Sequence, residues 1–196
     1  LDSTGHLIDV AGAGESAIAL TDGRSVQGSL YMSAKVLDIT GGGIIAPTQG
    51  TRIANRIELH ADQLMTRPGI RPAGTLANPM VLDGTDPTRV VISSSSTGSG
   101  GAGLISITGV SVPIADGVPH PPSATILLTG TDVLTETKGA GTGGKIEMRA
   151  TGLIELHDST ISANVADVRA QVPNLKEETG NINISAGTFL MQGGSI

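Results

Sequence analysis

The sequence predicts an all-β chain wound as a parallel β-helix with inserted loops. Three observations lead there: a repeat of short alternating segments, abundant glycine, and a near absence of aromatic side chains. The repeat is clearest near the C-terminus. Gly144-Lys145-Ile146-Glu147-Met148-Arg149-Ala150 is followed by Ile154-Glu155-Leu156 and then by Ser159-Thr160-Ile161. The plan returns as Gly180-Asn181-Ile182-Asn183-Ile184-Ser185-Ala186, Phe189-Leu190-Met191 and Gly194-Ser195-Ile196. Ile146 and Ile182 stand 36 positions apart, and Ile161 and Ile196 stand 35 apart, so the second copy is one residue shorter in a turn. Of 196 residues 28 are Gly, against one Tyr, one Phe and no Trp, so any core has to be aliphatic.

Taken along the chain, Leu7-Ile8-Asp9-Val10 is the first strand-like run. Leu30-Tyr31-Met32-Ser33-Ala34 follows, with Leu37 and Ile39 behind it, and then Ile57-Glu58-Leu59-His60-Ala61 with Leu64 behind it. Val90-Val91-Ile92, Leu104-Ile105-Ser106-Ile107 and Thr125-Ile126-Leu127-Leu128 complete the series up to the clear repeats. Each reads as a short strand because apolar and polar residues alternate: Ile146, Met148 and Ala150 on one face, Glu147 and Arg149 on the other. Units this short cannot each bury an apolar face alone, but stacked they enclose a continuous core. Successive inward positions would then lie about 4.8 Å apart, aliphatic on aliphatic. An antiparallel sandwich is the main alternative; it calls for two-residue hairpin turns and a bulky core, and neither is evident. The window from Ser162 to Gln171 runs into Pro173 and lacks an apolar stripe of helical spacing.

The whole chain, 1–196, reads as one segment, interrupted by loop insertions at about 65–88, 109–123 and 165–179. Pro68, Pro72, Pro79 and Pro87 fall in the first and Pro113, Pro119, Pro121 and Pro122 in the second; proline cannot donate to a ladder, so these stretches leave the sheet. The third holds Arg169, Lys176, Glu177 and Glu178. Recognition, if the fragment has any, belongs in these loops, since the regular units are generic.

Composition excludes several function classes. Charged residues make up 15%, with 12 Lys plus Arg against 18 Asp plus Glu and a net charge of −6. Scattered cations with no aromatic platforms between them are a poor nucleic-acid surface. No apolar run approaches the ~18 residues of a membrane helix, so the chain is expected not to span a membrane. The start at Leu1 lacks a Met and a signal-like pattern, and is expected to lie inside a longer product. Without Cys there are no disulfides, no thiolate metal sites and no thiol redox chemistry.

The stretches Gly144 to Ile161 and Gly180 to Ile196 resemble the repeats of filamentous haemagglutinin-type exoproteins, the passengers of bacterial two-partner secretion. They resemble that family's pattern of a Gly-Asn or similar opening, an Ile-x-Ile-x-Ala strand, a second short strand and a Gly-Ser-x-Ile or Ser-x-Ile closing. The likeness covers roughly the last 55 residues and extends more loosely over Leu30 to Ala61. It implies a right-handed β-helix shaft, secretion to the surface of a Gram-negative cell through an outer-membrane transporter, and an adhesive role toward glycans or cell-surface receptors in cell-cell, host or matrix attachment. The Asn-Pro-Asn motifs of that family's secretion domain are absent; Val172-Pro173-Asn174-Leu175 is a partial echo.

Other motifs are weaker. Gly139-Ala140-Gly141-Thr142-Gly143-Gly144-Lys145 fits most of a phosphate loop, but Ile146 follows where Ser or Thr is needed and a strand replaces the helix that binds phosphate, so a turn is expected. Gly12-Ala13-Gly14-Glu15-Ser16-Ala17 fails as a dinucleotide motif because Thr21-Asp22-Gly23 leaves no room for the crossover helix. Glu58 with His60, and Glu155 with His157, form Glu-x-His pairs on outer strand faces; each offers two ligands, too few for a metal site. His6 and His120 have no evident partners. Asp83, Asp86, Asp116 and Asp132 read as turn carboxylates bonded to nearby backbone. Ser93 to Thr97, with Gly98, Gly100 and Gly101, reads as a loop. The rival function is a carbohydrate-active β-helix enzyme, a polysaccharide lyase or hydrolase, for which Tyr31 is the only outward aromatic. The sequence assigns no catalytic, cofactor-binding or metal-ligating residue.

Overall fold

The computed structural model describes residues 8–9, 17–19, 29–48, 55–69, 88–110, 121–139, 141–165 and 180–196. Among these residues twelve strands make up one sheet: β1 (Ile8–Asp9), β2 (Ala17–Ala19), β3 (Ser29–Thr40), β4 (Gly43–Ile45), β5 (Arg56–Arg67), β6 (Val90–Ser93), β7 (Leu104–Thr108), β8 (Ser123–Thr129), β9 (Thr131–Leu134), β10 (Lys145–Ser162), β11 (Asn181–Ser185) and β12 (Thr188–Ser195). Every pairing between them is parallel. No helix occurs among the described residues, as the alternating pattern requires.

The expected right-handed β-helix solenoid is corrected by the pairing circuit. β5 pairs with β7 through Arg56–His60 and with β8 through Gln63–Thr66. β10 pairs with the same two strands, with β7 through Lys145–Met148 and with β8 between Ala150 and His157. The four strands therefore close into a parallel barrel. β3 and β1 add beyond β5, β11 and β12 add beyond β10, and β9, β6, β4 and β2 run off the far part of β10. The physical reason lies in strand length. Thr151-Gly152, which resembles a turn, is absorbed as a β-bulge where the register shifts between Ala150 and Leu153, so three short units merge into an 18-residue β10. β5 likewise runs unbroken from Ile57–Ala61 to Leu64 over 12 residues, in one register with β3 throughout. Strands long enough to pair with two neighbours along their two halves are what closes the ring.

Within this sheet the repeat dictates register. Leu30, Ile57, Ile105, Ile146 and Ile182 are successive partners across β3, β5, β7, β10 and β11, and Met32, Leu59, Ile107, Met148 and Ile184 form the next column. Leu37, Leu64, Ile126, Ile154 and Phe189 form a third. Their interior members are fully buried and belong to one core cluster. Each buried Ile or Leu contributes about 1.5–3 kcal/mol relative to exposure. The first two columns reach β11, and the third reaches β12, where Phe189, Leu190 and Met191 are exposed.

Part of the interior is polar. Ser93 to Ser96 are buried, not looped out: Ser93 closes β6 and the others continue its extended path. Ser94 N donates to Leu134 O at 2.9 Å and Ser96 N to Glu136 O at 2.8 Å. The hydroxyls are used as well. Ser94 Oγ donates to Asn55 O, Ser96 Oγ to Gly100 O at 2.8 Å, and Ser95 Oγ accepts from Glu136 N at 3.1 Å. A second hydroxyl cluster joins Thr66 Oγ1 to Thr131 Oγ1 at 2.5 Å, and Ser159 Oγ accepts from Thr131 N at 3.2 Å. These serines and threonines enter the core because their hydroxyls find partners there, which removes most of the cost of burying them; Ser123 Oγ and Thr135 Oγ1, also buried, have none among the described residues.

The three predicted loop insertions fall mostly outside the described residues. β5 continues through Met65 to Arg67 before the first of them, and Pro121 and Pro122 lead into β8 after the second.

Candidate functional site

The outward residues of the first halves of these strands fall into rows as regular as the core columns. Tyr31, Glu58, Ser106, Glu147 and Asn183 are successive partners, each lying between the two aliphatics its own strand turns inward. Beside them run Arg56, Leu104, Lys145 and Asn181 on one side, and Ser33, His60 and Thr108 on the other. Together they make a polar outer face with one aromatic ring.

Its charges are locally balanced. Arg56 Nη2 lies 2.9 Å from Glu58 Oε1, and Lys145 Nζ lies 3.2 Å from Glu147 Oε2. His60, expected on an exposed strand face beside Glu58, is instead fully buried at 0% exposure. It points outward by alternation but is covered: its Nδ1 bonds Thr108 Oγ1 at 2.9 Å, and the Tyr31 ring lies over it with centroids 4.7 Å apart and planes tilted by 34°. Glu58 Oε2 is 3.5 Å from His60 Nε2. The two residues are together, as their spacing implied, yet the imidazole is packed and hydrogen-bonded where a metal ligand would need to be open. Tyr31 remains 48% exposed.

The second Glu-x-His pair is arranged differently. His157 Nε2 lies 3.4 Å from Asp158 Oδ2, with Asp158 at φ 48°, and Glu155 is not its partner in that contact. Among the described residues no three His, Asp or Glu side chains converge as a metal site. Asp132 is not a turn carboxylate. It lies in β9 and accepts a two-pronged contact from Arg89, at 2.9 Å from Nε and 2.6 Å from Nη2. His6, His120, Asp83, Asp86, Asp116 and Gly12 to Ser16 lie outside the described residues.

The phosphate-loop look-alike is a turn against another turn. Gly139, Gly141 and Gly144 face Gly98, Gly100 and Gly103 at close backbone range, and Lys145 opens β10 with no helix following. At its end the N–H groups are spent within the stack: Gly144 N donates to Thr135 O at 3.4 Å and Lys145 N to Gly103 O at 2.9 Å, while Thr142 O accepts from Ala102 N at 3.0 Å.

No family model, curated protein or solved structure matches the chain. No helix among the described residues is long and apolar enough to cross a membrane.

The Arg89–Asp132 pair gives a local test. With side chains only 23% and 13% exposed, it is shielded where Arg67–Asp38, with Arg67 at 56%, is open to solvent. Arg89→Ala is expected to cost about 1–3 kcal/mol in urea denaturation, because Asp132 then keeps its burial and loses a bidentate partner. Arg67→Ala should cost about 1 kcal/mol at most. Equal midpoints for the two variants would contradict the assignment.

Proposed function

We propose that this chain is a structural, non-catalytic segment of a secreted or cell-surface filamentous adhesin, exported through an outer-membrane transporter of a Gram-negative cell and serving cell-cell, host or matrix attachment. One observation carries the proposal: five successive strands place an aliphatic or Met side chain at the same inward register positions over a wholly parallel ladder. Such a construction gives stiffness and repeated surface in place of a single enclosed pocket. Absence of Cys suits passage through a pore in unfolded form.

A carbohydrate-active enzyme is the rival reading, and the observation in its favour is Glu58 and Glu147 in one row, two strands apart. Two strand spacings of about 4.8 Å bring their backbones near the separation that inverting glycosidases require between carboxylates. Against it, each carboxylate faces a cation of its own strand, where a general acid is typically set against an apolar wall. Incubation with a panel of polysaccharides separates the readings. Attachment to cells or matrix glycans with no new reducing ends or unsaturated products is expected; chain cleavage that Glu58→Gln abolishes would defeat the adhesin reading.

A further inference from the structure

The outer face around Tyr31 has parts that a merely solvated strand face does not need, and we propose that it is a binding site for a linear, uncharged polysaccharide laid across the strands. The inference rests on the adhesin reading and names the ligand class that one surface would take. First, the single tyrosine of the chain is held, not free to swing: its ring is seated on the buried His60 imidazole, which Thr108 fixes in turn. A ring held in place and still 48% exposed offers a flat apolar surface to the C–H face of a pyranose without a large ordering cost.

Second, the polar groups beside the ring come as donor and acceptor together. Arg56 with Glu58, and Lys145 with Glu147, present guanidinium or ammonium hydrogens next to carboxylate oxygens at 2.9 and 3.2 Å. Sugar hydroxyls both donate and accept, and a charged partner makes each such bond stronger than a neutral one. Because each carboxylate is balanced by a cation, the row has little net field to attract a uronate or sulfated chain and does not repel an uncharged one.

Third, the repeat of the row fits a repeating ligand. Tyr31, Glu58, Ser106, Glu147 and Asn183 step from strand to strand at about 4.8 Å. That step is close to the advance of one pyranose unit in an extended glycan, so each sugar meets one polar side chain of the row, with Tyr31 at one end. An extended peptide would instead look for a free sheet edge, and here both edges of β5, β7 and β10 are already paired.

The test is titration of the full 196-residue chain with neutral linear hexasaccharides of glucose, galactose and mannose, and with oligogalacturonate and heparin oligomers as acidic comparators, followed by calorimetry and by chemical shifts of backbone amides. A neutral hexasaccharide is expected to bind and to shift the amides of β5, β7 and β10. Tyr31→Ala should weaken it about tenfold or more, Tyr31→Phe should retain it, and Glu58→Gln should weaken it with an unchanged melting temperature. The proposal fails if no neutral hexasaccharide binds, if an acidic oligomer or a peptide takes the face more tightly, or if Tyr31→Ala binds as the parent does. Attachment to cells that survives such a failure would leave the adhesin reading intact. Shortening of the hexasaccharide would overturn that reading instead, with the Tyr31 variants still deciding whether this face holds the sugar.

Discussion

Ile105→Asp is expected to abolish cooperative folding at 25 °C. Ile105 is fully buried in the middle strand of its column, with Ile57 on one side and Ile146 on the other. The substitution removes about 2 kcal/mol of apolar burial and places a carboxylate where its neighbours are aliphatic, at a further cost of several kcal/mol. A domain has about 5–15 kcal/mol in total to lose. Ser106 is the next residue and points the other way, half-buried on the outer face. Ser106→Asn should stay within about 0.5 kcal/mol of the parent. Far-UV circular dichroism and urea denaturation of the pair measure the difference. A urea midpoint for Ile105→Asp equal to that of the parent would mean that the columns do not form the core.

That contrast between neighbours was legible in the sequence. Aligning Leu30-Tyr31-Met32, Ile57-Glu58-Leu59, Ile105-Ser106-Ile107, Ile146-Glu147-Met148 and Ile182-Asn183-Ile184 unit by unit yields both the buried columns and the outer row, and the observed partners are those the alignment gives. Parallel pairing follows from the same alignment. The closed ring of β5, β7, β10 and β8 does not, because it depends on whether Thr151-Gly152 turns the chain or is carried as a bulge, and both outcomes share one local composition.

Polar residues misled for a related reason. Ser93 to Ser96 have the composition of a loop, and their burial depends on hydroxyl and backbone partners at Asn55, Leu134, Glu136 and Gly100, of which only the last is near in sequence. Likewise, alternation places His60 on the outer face, but whether that face is wet there is decided by Tyr31, 29 positions earlier, and Thr108, 48 later. Asp132 reads as a turn residue until β9 sets it beside Arg89, 43 positions away. Local pattern tells which side of a strand a residue takes; only the register of neighbouring strands tells what it meets.

Gly139→Ala carries the second large effect, and its sign is the informative part. Where the backbone conformation allows it, Gly→Ala usually stabilises by about 0.4–1 kcal/mol through the unfolded state. At Gly139 a Cβ would overlap the carbonyl oxygen of Gly98 and come within 3.2 Å of Thr97 O, and backbone atoms cannot swing aside as a flexible side chain would. The offset from Gly98 to Gly139 is 41 positions, the same as from Ile105 to Ile146, so the turns stack in the register of the strands they precede. Opening that gap strains the ladder from Leu104–Lys145 onward, and overpacking of this kind costs about 1–3 kcal/mol. Gly141→Ala, against Gly100, should do the same. If these glycines instead served to cradle a phosphate, the substitutions would weaken nucleotide binding and leave the urea midpoint unchanged or raised. A lowered midpoint, unaffected by added nucleotide, is the result expected when glycine is required by glycine across a turn-to-turn contact.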